Sequence, residues 1–390
     1  MIPRLLLVLA LAALVAVLAG GCATGLPPGA RPEPPSLVQQ ARLYTLSHEA
    51  SKAETLLLDI RSQGLHSWLE FEPGLQRTLA YLRKKPKDRL AMSRNGPAVT
   101  WGQLAQSAEE LLALLPSLDR QPWLLAERFT WFELKPAPRM TGYYTPEVRA
   151  SLRKEPGYQY PIYTRPPDLR VGSSGVYRVA GDRALPYHTR AEIDLKGALA
   201  NRGLEIAWAR DPLDLYDLHL EGCGRLRLPD GSSREVVFQA SNGRSFTALS
   251  TIVARKGLLG PGPPGKKEVR TFFDLHPSML PGLLAENERY IFFRFSEDGA
   301  HGAHGMPLTP MISVATDPDL LPLGSMLILD APLPGGNVRG LVLAQDTGSA
   351  IQGARLDFYG GVGREAGEFI QSINTRVGVF LLVSKQALSR

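Results

Sequence analysis

The spacing of apolar residues divides the chain into a helical start and a long β-rich remainder. In residues 36–118, apolar positions recur at helical spacing over 53–60 and 75–82, and 105–115 is densely apolar around the acids Glu109 and Glu110. Gly64, Gly96 and Pro116 punctuate these segments, which read as scaffold helices. From Met140 to about Gln239 the pattern changes to short apolar runs cut by Pro, Gly and Asp, among them YPIY (160–163), LDLYDLHLEG (213–222) and GRLRLPDG (224–231). That rhythm predicts strands in a barrel or sandwich. Residues 246–256 read as one helix stopped by Gly257, and 258–267, rich in Pro and Gly, as a loop. Strand-like runs return at 290–295, 311–315, 326–329 and 341–344; a helix is expected over 365–373 and a last strand over 377–383.

Within this β-rich half, residues 341–361 place Asp346 and Asp357 at the ends of two apolar runs, separated by a short segment bounded by Gly348 and Gly353. The simplest reading is strand, glycine turn, strand. An aspartate is a poor strand former and is costly to bury without hydrogen bonds. Two of them flanked by apolar residues therefore mark a chemical site or, equally, two turn caps.

The N-terminus changes the picture of where the protein acts. Arg4 precedes an unbroken apolar run over 5–18, then Ala19, Gly20, Gly21 and Cys22. This is the pattern of a secretory signal over 1–21, too short to span a membrane comfortably. Cys22 after small residues resembles a lipoprotein box, with Ala19 where Leu is usual. The resemblance implies a lipidated Cys22, a Pro/Gly-rich tether over 22–35 and, with Ala23 next, an outer-membrane lipoprotein on the periplasmic face of a Gram-negative bacterium.

The remaining composition excludes little. The chain has 390 residues, enough for two domains, and its 32 prolines and 38 glycines argue against a helical bundle. A net charge of +6 without clustered Lys/Arg does not point to nucleic acid. His301 and His304 are three apart but have no third ligand nearby in sequence, so neither a metal nor another cofactor is expected.

Eight blocks, in order, resemble the membrane-bound lytic transglycosylase A family: TGYYTPEV (141–148), YPIY (160–163), DPLDLYDLHLEGCGRLRLPDG (211–231), SNGRSFTAL (241–249), YIFFRF (290–295), HGMPLTP (304–310), DPDLLPLG (317–324) and AQDTGSAIQGARLDFYGGVGREAG (344–367). Cys223 stands where the family usually has Ser, and Asn287-Glu288-Arg289 where it has Asn-Pro-Ser. The resemblance implies a mainly β fold with N-terminal helices: a discontinuous domain (36–143 and 251–390) ending in a double-psi β-barrel, with a second small β-barrel domain (144–250) inserted. It further implies a glycan groove between the two and a three-aspartate module at Asp317, Asp346 and Asp357, with Asp357 catalytic and Asp346 beside it.

The activity so implied is cleavage of peptidoglycan between N-acetylmuramic acid and N-acetylglucosamine, leaving a 1,6-anhydro end. Asp357 acts first as acid and then as base, which requires it to begin protonated in its apolar setting. Tyr143 and Tyr144 can stack on sugars, one of the two being expected to face the core. Thr141, Asn242, Arg244 and Asp317 complete the expected substrate contacts, while Arg225 and Arg227 read as a solvated strand face. The expected partners are glycan strands and wall-synthesis or division proteins, with the protein itself a monomer. Two other readings stand beside this one. A non-catalytic peptidoglycan-binding lipoprotein would share the fold. An aspartic protease would use the DTG at Asp346, but that chemistry needs two such motifs, and the chain has one.

Overall fold

The computed structural model describes residues 41–389, apart from 93–94, 174, 261, 263, 334–335 and 349. The expected signal, Cys22 and tether lie outside the described residues.

Six strands organise the second half: β1 Arg139–Thr145, β2 Ser313–Thr316, β3 Met326–Leu333, β4 Gly336–Asp346, β5 Arg355–Val362 and β6 Gly378–Ser384. β4 and β6 read as nearly continuous apolar runs, because both of their faces are covered. β1 pairs parallel with β5, β5 antiparallel with β2, β2 parallel with β4, and β4 and β6 both antiparallel with β3. The circuit closes through Thr375–Arg376, which pairs antiparallel with β1 only two residues before β6 begins. Val377 lies between them and donates its N–H to Pro138 at 3.0 Å. One run of chain thus borders β3 on one side and, at its start, β1 on the other, so the sheet returns on itself as a barrel. β4 and β5, adjacent in sequence, are not neighbours: β2 lies between them.

The N-terminal helices cover the outside. α1, Glu72–Leu82, and α2, Trp101–Leu118, pack on each other and on the barrel strands. α2 opens with a capping box in which Thr100 and Gln103 each satisfy the other's backbone N–H. Strands Arg42–Thr45 and Phe129–Lys135 extend the sheet beyond β6.

The second β unit orders six strands as Ile291–Ser296, Ser233–Ser241, Cys223–Arg227, Glu147–Ser151, Glu205–Ala209 and Tyr160–Tyr163. Its core holds Val148, Ala150, Ile162, Ala207, Leu226, Val236, Ile291 and Phe293. The chain flanking its two edge strands meets through side chains, the rings of Tyr163 and Tyr290 lying 6.3 Å apart. Strand Ile291–Ser296 carries this sheet well past residue 250.

Two segments differ from the expectation. Residues 212–221 form a helix, α3 (Pro212–Glu221), not a strand. Asp211 caps it by accepting from the N–H groups of Leu213 and Asp214, Pro212 starts it, and Gly222 ends it at φ 74°. A second helix, α4 (Lys266–Leu275), begins inside the stretch read as loop, with Gly265 as its cap. The helix expected near 365–373 is present as α5, Arg364–Gln371. It lies close on β1 because Gly142 has no side chain; a Cβ there would sit 2.6 Å from Ile370.

The barrel is tied to α1 by one buried side chain. Gln345 accepts from Ser313 Oγ at 2.6 Å and donates to Gly74 O and Thr78 Oγ1, each at 2.9 Å. Gln345→Ala would take the acceptor from the Ser313 hydroxyl and a donor from Gly74 O and Thr78 Oγ1, and each buried hydrogen bond so lost costs about 0.5–1.5 kcal/mol. Urea unfolding should show a loss of at least about 2 kcal/mol; a variant as stable as the parent would show that the amide is not what holds α1.

Candidate active site

β4 reaches the site through a break in register. Along the parallel pair, Val314 faces Ala344 and Ala315 faces Asp346, so Gln345 is skipped as the extra residue of a bulge. On its other side Ala315 faces Asp357 of β5. The two aspartates therefore flank one residue, their Cα atoms two strand spacings, or about 10 Å, apart. Both are buried, Asp346 at 0% and Asp357 at 4% exposure. They differ in their partners. Asp346 accepts three hydrogen bonds: Oδ1 from the N–H groups of Ala303 and Thr347, and Oδ2 from the Tyr143 hydroxyl, each at 2.9 Å. Asp357 accepts one, from Thr141 Oγ1 to Oδ1 at 2.7 Å, and among the described residues Oδ2 has no partner.

Burial pushes the Asp357 carboxyl up to about 7; the Thr141 bond and the charge of Arg355 oppose it, and the charge of Asp346 adds to it. Burial also raises Asp346, to about 6, against the pull of its three donors. Burial thus raises both carboxyls, and three donors oppose the rise at Asp346 where a single hydrogen bond and the charge of Arg355 oppose it at Asp357.

The other expected site residues fall into two groups. Thr141, Tyr143 and Tyr144 stand on β1 beside the aspartates; both tyrosines are buried, on opposite faces of the strand. The Tyr143 ring packs on Tyr359, 5.2 Å away, and the Tyr144 ring lies beside Gly367 of α5. Asn242, Arg244 and Asp317 lie apart and hold loops. Asn242 is fully buried, donating to the carbonyls of His188 and Glu288 and accepting from the N–H groups of Arg244 and Tyr290. Its amide has no capacity left for a ligand. Arg244 donates from Nε to Tyr187 O at 2.8 Å. Asp317 accepts from the N–H groups of Asp319 and Gly353, the latter at 2.6 Å, and so fixes the turn between β4 and β5. His301 lies 3.7 Å from Asp298, and His304 is buried against the loop that supplies Ala303. Among the described residues no group of three or more His, Cys, Asp or Glu is arranged to hold a metal ion.

Residues 139–294 match the MltA specific insert domain and residues 312–383 the 3D domain, together more than half of the chain. The chain belongs to the membrane-bound lytic murein transglycosylase A (MltA) family. It is 29% identical over 239 residues to the membrane-bound lytic murein transglycosylase A of Escherichia coli, covering 59% of this chain and 61% of that protein. To the Vibrio cholerae protein of the same name it is 27% identical over 237 residues, covering 58% and 60%. The chain thus matches about three-fifths of the length of these relatives. The crystal structure of a membrane-bound lytic murein transglycosylase from Agrobacterium tumefaciens superposes with a TM-score of 0.72 at 28% identity, covering 90% of this chain and 99% of that one. Among the described residues no helix is long and apolar enough to cross a membrane.

In this MltA chain the sequence reading missed a cluster on the insert's side of the site. Lys266, the first residue of α4, reaches Glu221 at 3.3 Å and Asp217 at 3.5 Å, both on α3, and lies over the Tyr144 ring at 5.1 Å from its centre. Burial pushes Glu221 up to about 7; Lys266 opposes this, while Asp217 and Asp357 add to it. The available signal was the Asp-Pro start and Gly222 stop of α3, which put Asp217 and Glu221 one turn apart on the same face.

An acid whose folded pKa lies above its unfolded value stabilises the fold while protonated, and that contribution fades as pH rises. For Asp357 the fall runs from near its ordinary value of 3.8 to about 7. Asp357→Asn removes the cost of the buried charge. In thermal unfolding the variant should gain on the parent between pH 4 and pH 8, by roughly a few kcal/mol at the upper end. A difference that stays constant with pH would contradict the raised pKa.

Proposed function

We propose that the protein is a peptidoglycan lytic transglycosylase that cuts the β-1,4 bond between N-acetylmuramic acid and N-acetylglucosamine and leaves a 1,6-anhydro end. The observation that carries this reading is Asp357: a buried carboxyl that accepts one hydrogen bond, from Thr141, has one oxygen uncommitted among the described residues, and is pushed up to about 7 by burial. Oδ2 gives its proton to the glycosidic oxygen as the C1–O bond breaks. The C6 hydroxyl of the same muramic residue then attacks C1, and its proton passes to Asp357, which returns to its starting state. Holding that hydroxyl against C1 makes the second step intramolecular, which favours it over attack by water. Asp346, ionised and fixed by three donors, offers negative charge to the oxocarbenium-like transition state without itself exchanging a proton.

Thr141 orients Asp357, and Tyr143 orients Asp346. Tyr144 and Arg244 stand as sugar contacts in this reading, while Asn242 and Asp317 act through the loops they hold. The glycan occupies a groove between the barrel and the inserted β unit, whose side chains meet in a cluster of Tyr143, Cys223, Val237, Ala315, Ile351 and Tyr359. The protease reading needs two aspartates sharing one proton; no hydrogen bond joins Asp346 to Asp357 among the described residues. The protein works as a monomer on glycan strands, held at the inner face of the outer membrane by acyl chains on Cys22, within reach of wall-synthesis and division proteins.

Digestion of purified sacculi, with anhydro and reducing ends separated, tests the chemistry. Asp357→Asn should lose turnover by at least about 10²–10⁴-fold, since one group serves as both acid and base. Asp346→Asn should lose less and should move the alkaline limb of the pH profile downward, because a charge that keeps Asp357 protonated is gone. Full activity in Asp357→Asn would sink the assignment. Equal losses with reducing ends would point to hydrolysis by a carboxylate pair, cut peptides to the protease, and bound but intact sacculi to a non-catalytic binder.

Anchoring has its own test. One acyl chain binds a membrane only marginally, so stable attachment implies several. Cys22→Ser should leave the protein as precursor or release it to the soluble fraction; mature protein that still sediments with membranes would refute lipid attachment at Cys22.

A further inference from the structure

Glu221 is placed where nothing in its own helix calls for it. It is the last residue of α3, where an acid opposes the helix dipole, and it is buried at 7% exposure. Lys266 engages only its Oε1; among the described residues Oε2 has no partner. The same ammonium lies over Tyr144, which stands on the strand paired with that of Asp357. The clamp therefore joins the insert's helix to the barrel strand beside the catalytic acid, with one carboxylate oxygen unspent.

We propose that Glu221 is a positioning residue of the groove: held by Lys266, its free oxygen accepts a hydrogen bond from the bound glycan, and its negative charge leaves the proton on Asp357. The proposal rests on the transglycosylase reading above. Burial pushes Glu221 up to about 7 and the charge of Asp357 adds to it, so the two carboxyls lie within electrostatic reach, and a charge on one disfavours a charge on the other. Lys266 sits on the Glu221 side and draws the first negative charge there. The other groups facing the pair are Asp217 on α3, Arg355 on β5 and Asp346 on β4, with Thr141 on β1 bonded to Asp357.

The test uses Glu221→Gln in the full-length protein, with Glu221→Asp as the charge-conserving control. Sacculus digestion gives KM, kcat and the pH profile, and thermal unfolding reports folding. Glu221→Gln is expected to raise KM several-fold and to shift the alkaline limb to lower pH, with Glu221→Asp restoring the limb. A folded Glu221→Gln protein with unchanged KM and unchanged pH profile overturns the proposal. So does a lowered melting temperature with both kinetic readouts unmoved, since that is what a purely structural role would give. If Glu221→Gln does not fold, Lys266→Met is measured instead: with its clamp lost, Glu221 no longer draws the charge, and the same KM rise and limb shift are expected. Unchanged kinetics there overturn the proposal equally. Failure of the transglycosylase reading itself is distinct, for then the parent protein releases no anhydro ends at all.

Discussion

The site depends on one skipped residue. If β2 and β4 ran in unbroken register, Gln345 would stand opposite Ala315 and Asp346 would fall one position further on, level with Thr316. The bulge at Gln345 brings Asp346 level with Asp357 across a single alanine. An extra residue in a ladder must have its polar groups satisfied elsewhere, and the buried amide of Gln345 does this on α1 and Ser313. The N-terminal helices thus help to hold the two aspartates level, although none of them contributes a side chain to the site.

Burial sets the division of labour between the two carboxyls. Three donors favour a negative charge on Asp346, while one donor and an apolar surround raise the proton affinity of Asp357. Neither arrangement favours the folded state, and both are sustained by a large apolar core that runs from α1 and α2 through β6. The inserted unit contributes, through α3 and α4, a buried ion cluster of its own. Side chains of the two β units meet in the cluster of Tyr143, Cys223, Val237, Ala315, Ile351 and Tyr359.

Much of this was legible in the sequence, but unevenly. The apolar runs of β4 and β5 stood out, with Asp346 at the end of one and Asp357 within the other, because strands buried on both faces read as continuous hydrophobic stretches. That the two strands are separated by β2 was not legible, since pairing between strands far apart in sequence leaves no local mark. The alternation in LDLYDLHLEG imitated a strand, and the Asp-Pro and Gly signals at its ends, which were the better guide, were outvoted by periodicity. Asn242 showed itself as a polar residue in a loop; that its amide is spent on four backbone groups required the fold. The pairing of Glu221 with Lys266 spans forty-five positions and two separate helices, and only packing brings it about.

The closure of the barrel has a temporal side. β1 is made early, then waits while the entire inserted unit and four barrel strands are synthesised. Its outer edge is covered only when Thr375–Arg376, just ahead of β6, arrives some 235 residues later. Pairing over so long a loop is slow and late in folding. Until that run is in place β1 has an unpaired edge, and the strand carrying Thr141 and Tyr143 is not locked against Asp357 and Asp346. A partly made chain is therefore without an assembled site, which is completed in one step, with the last strand.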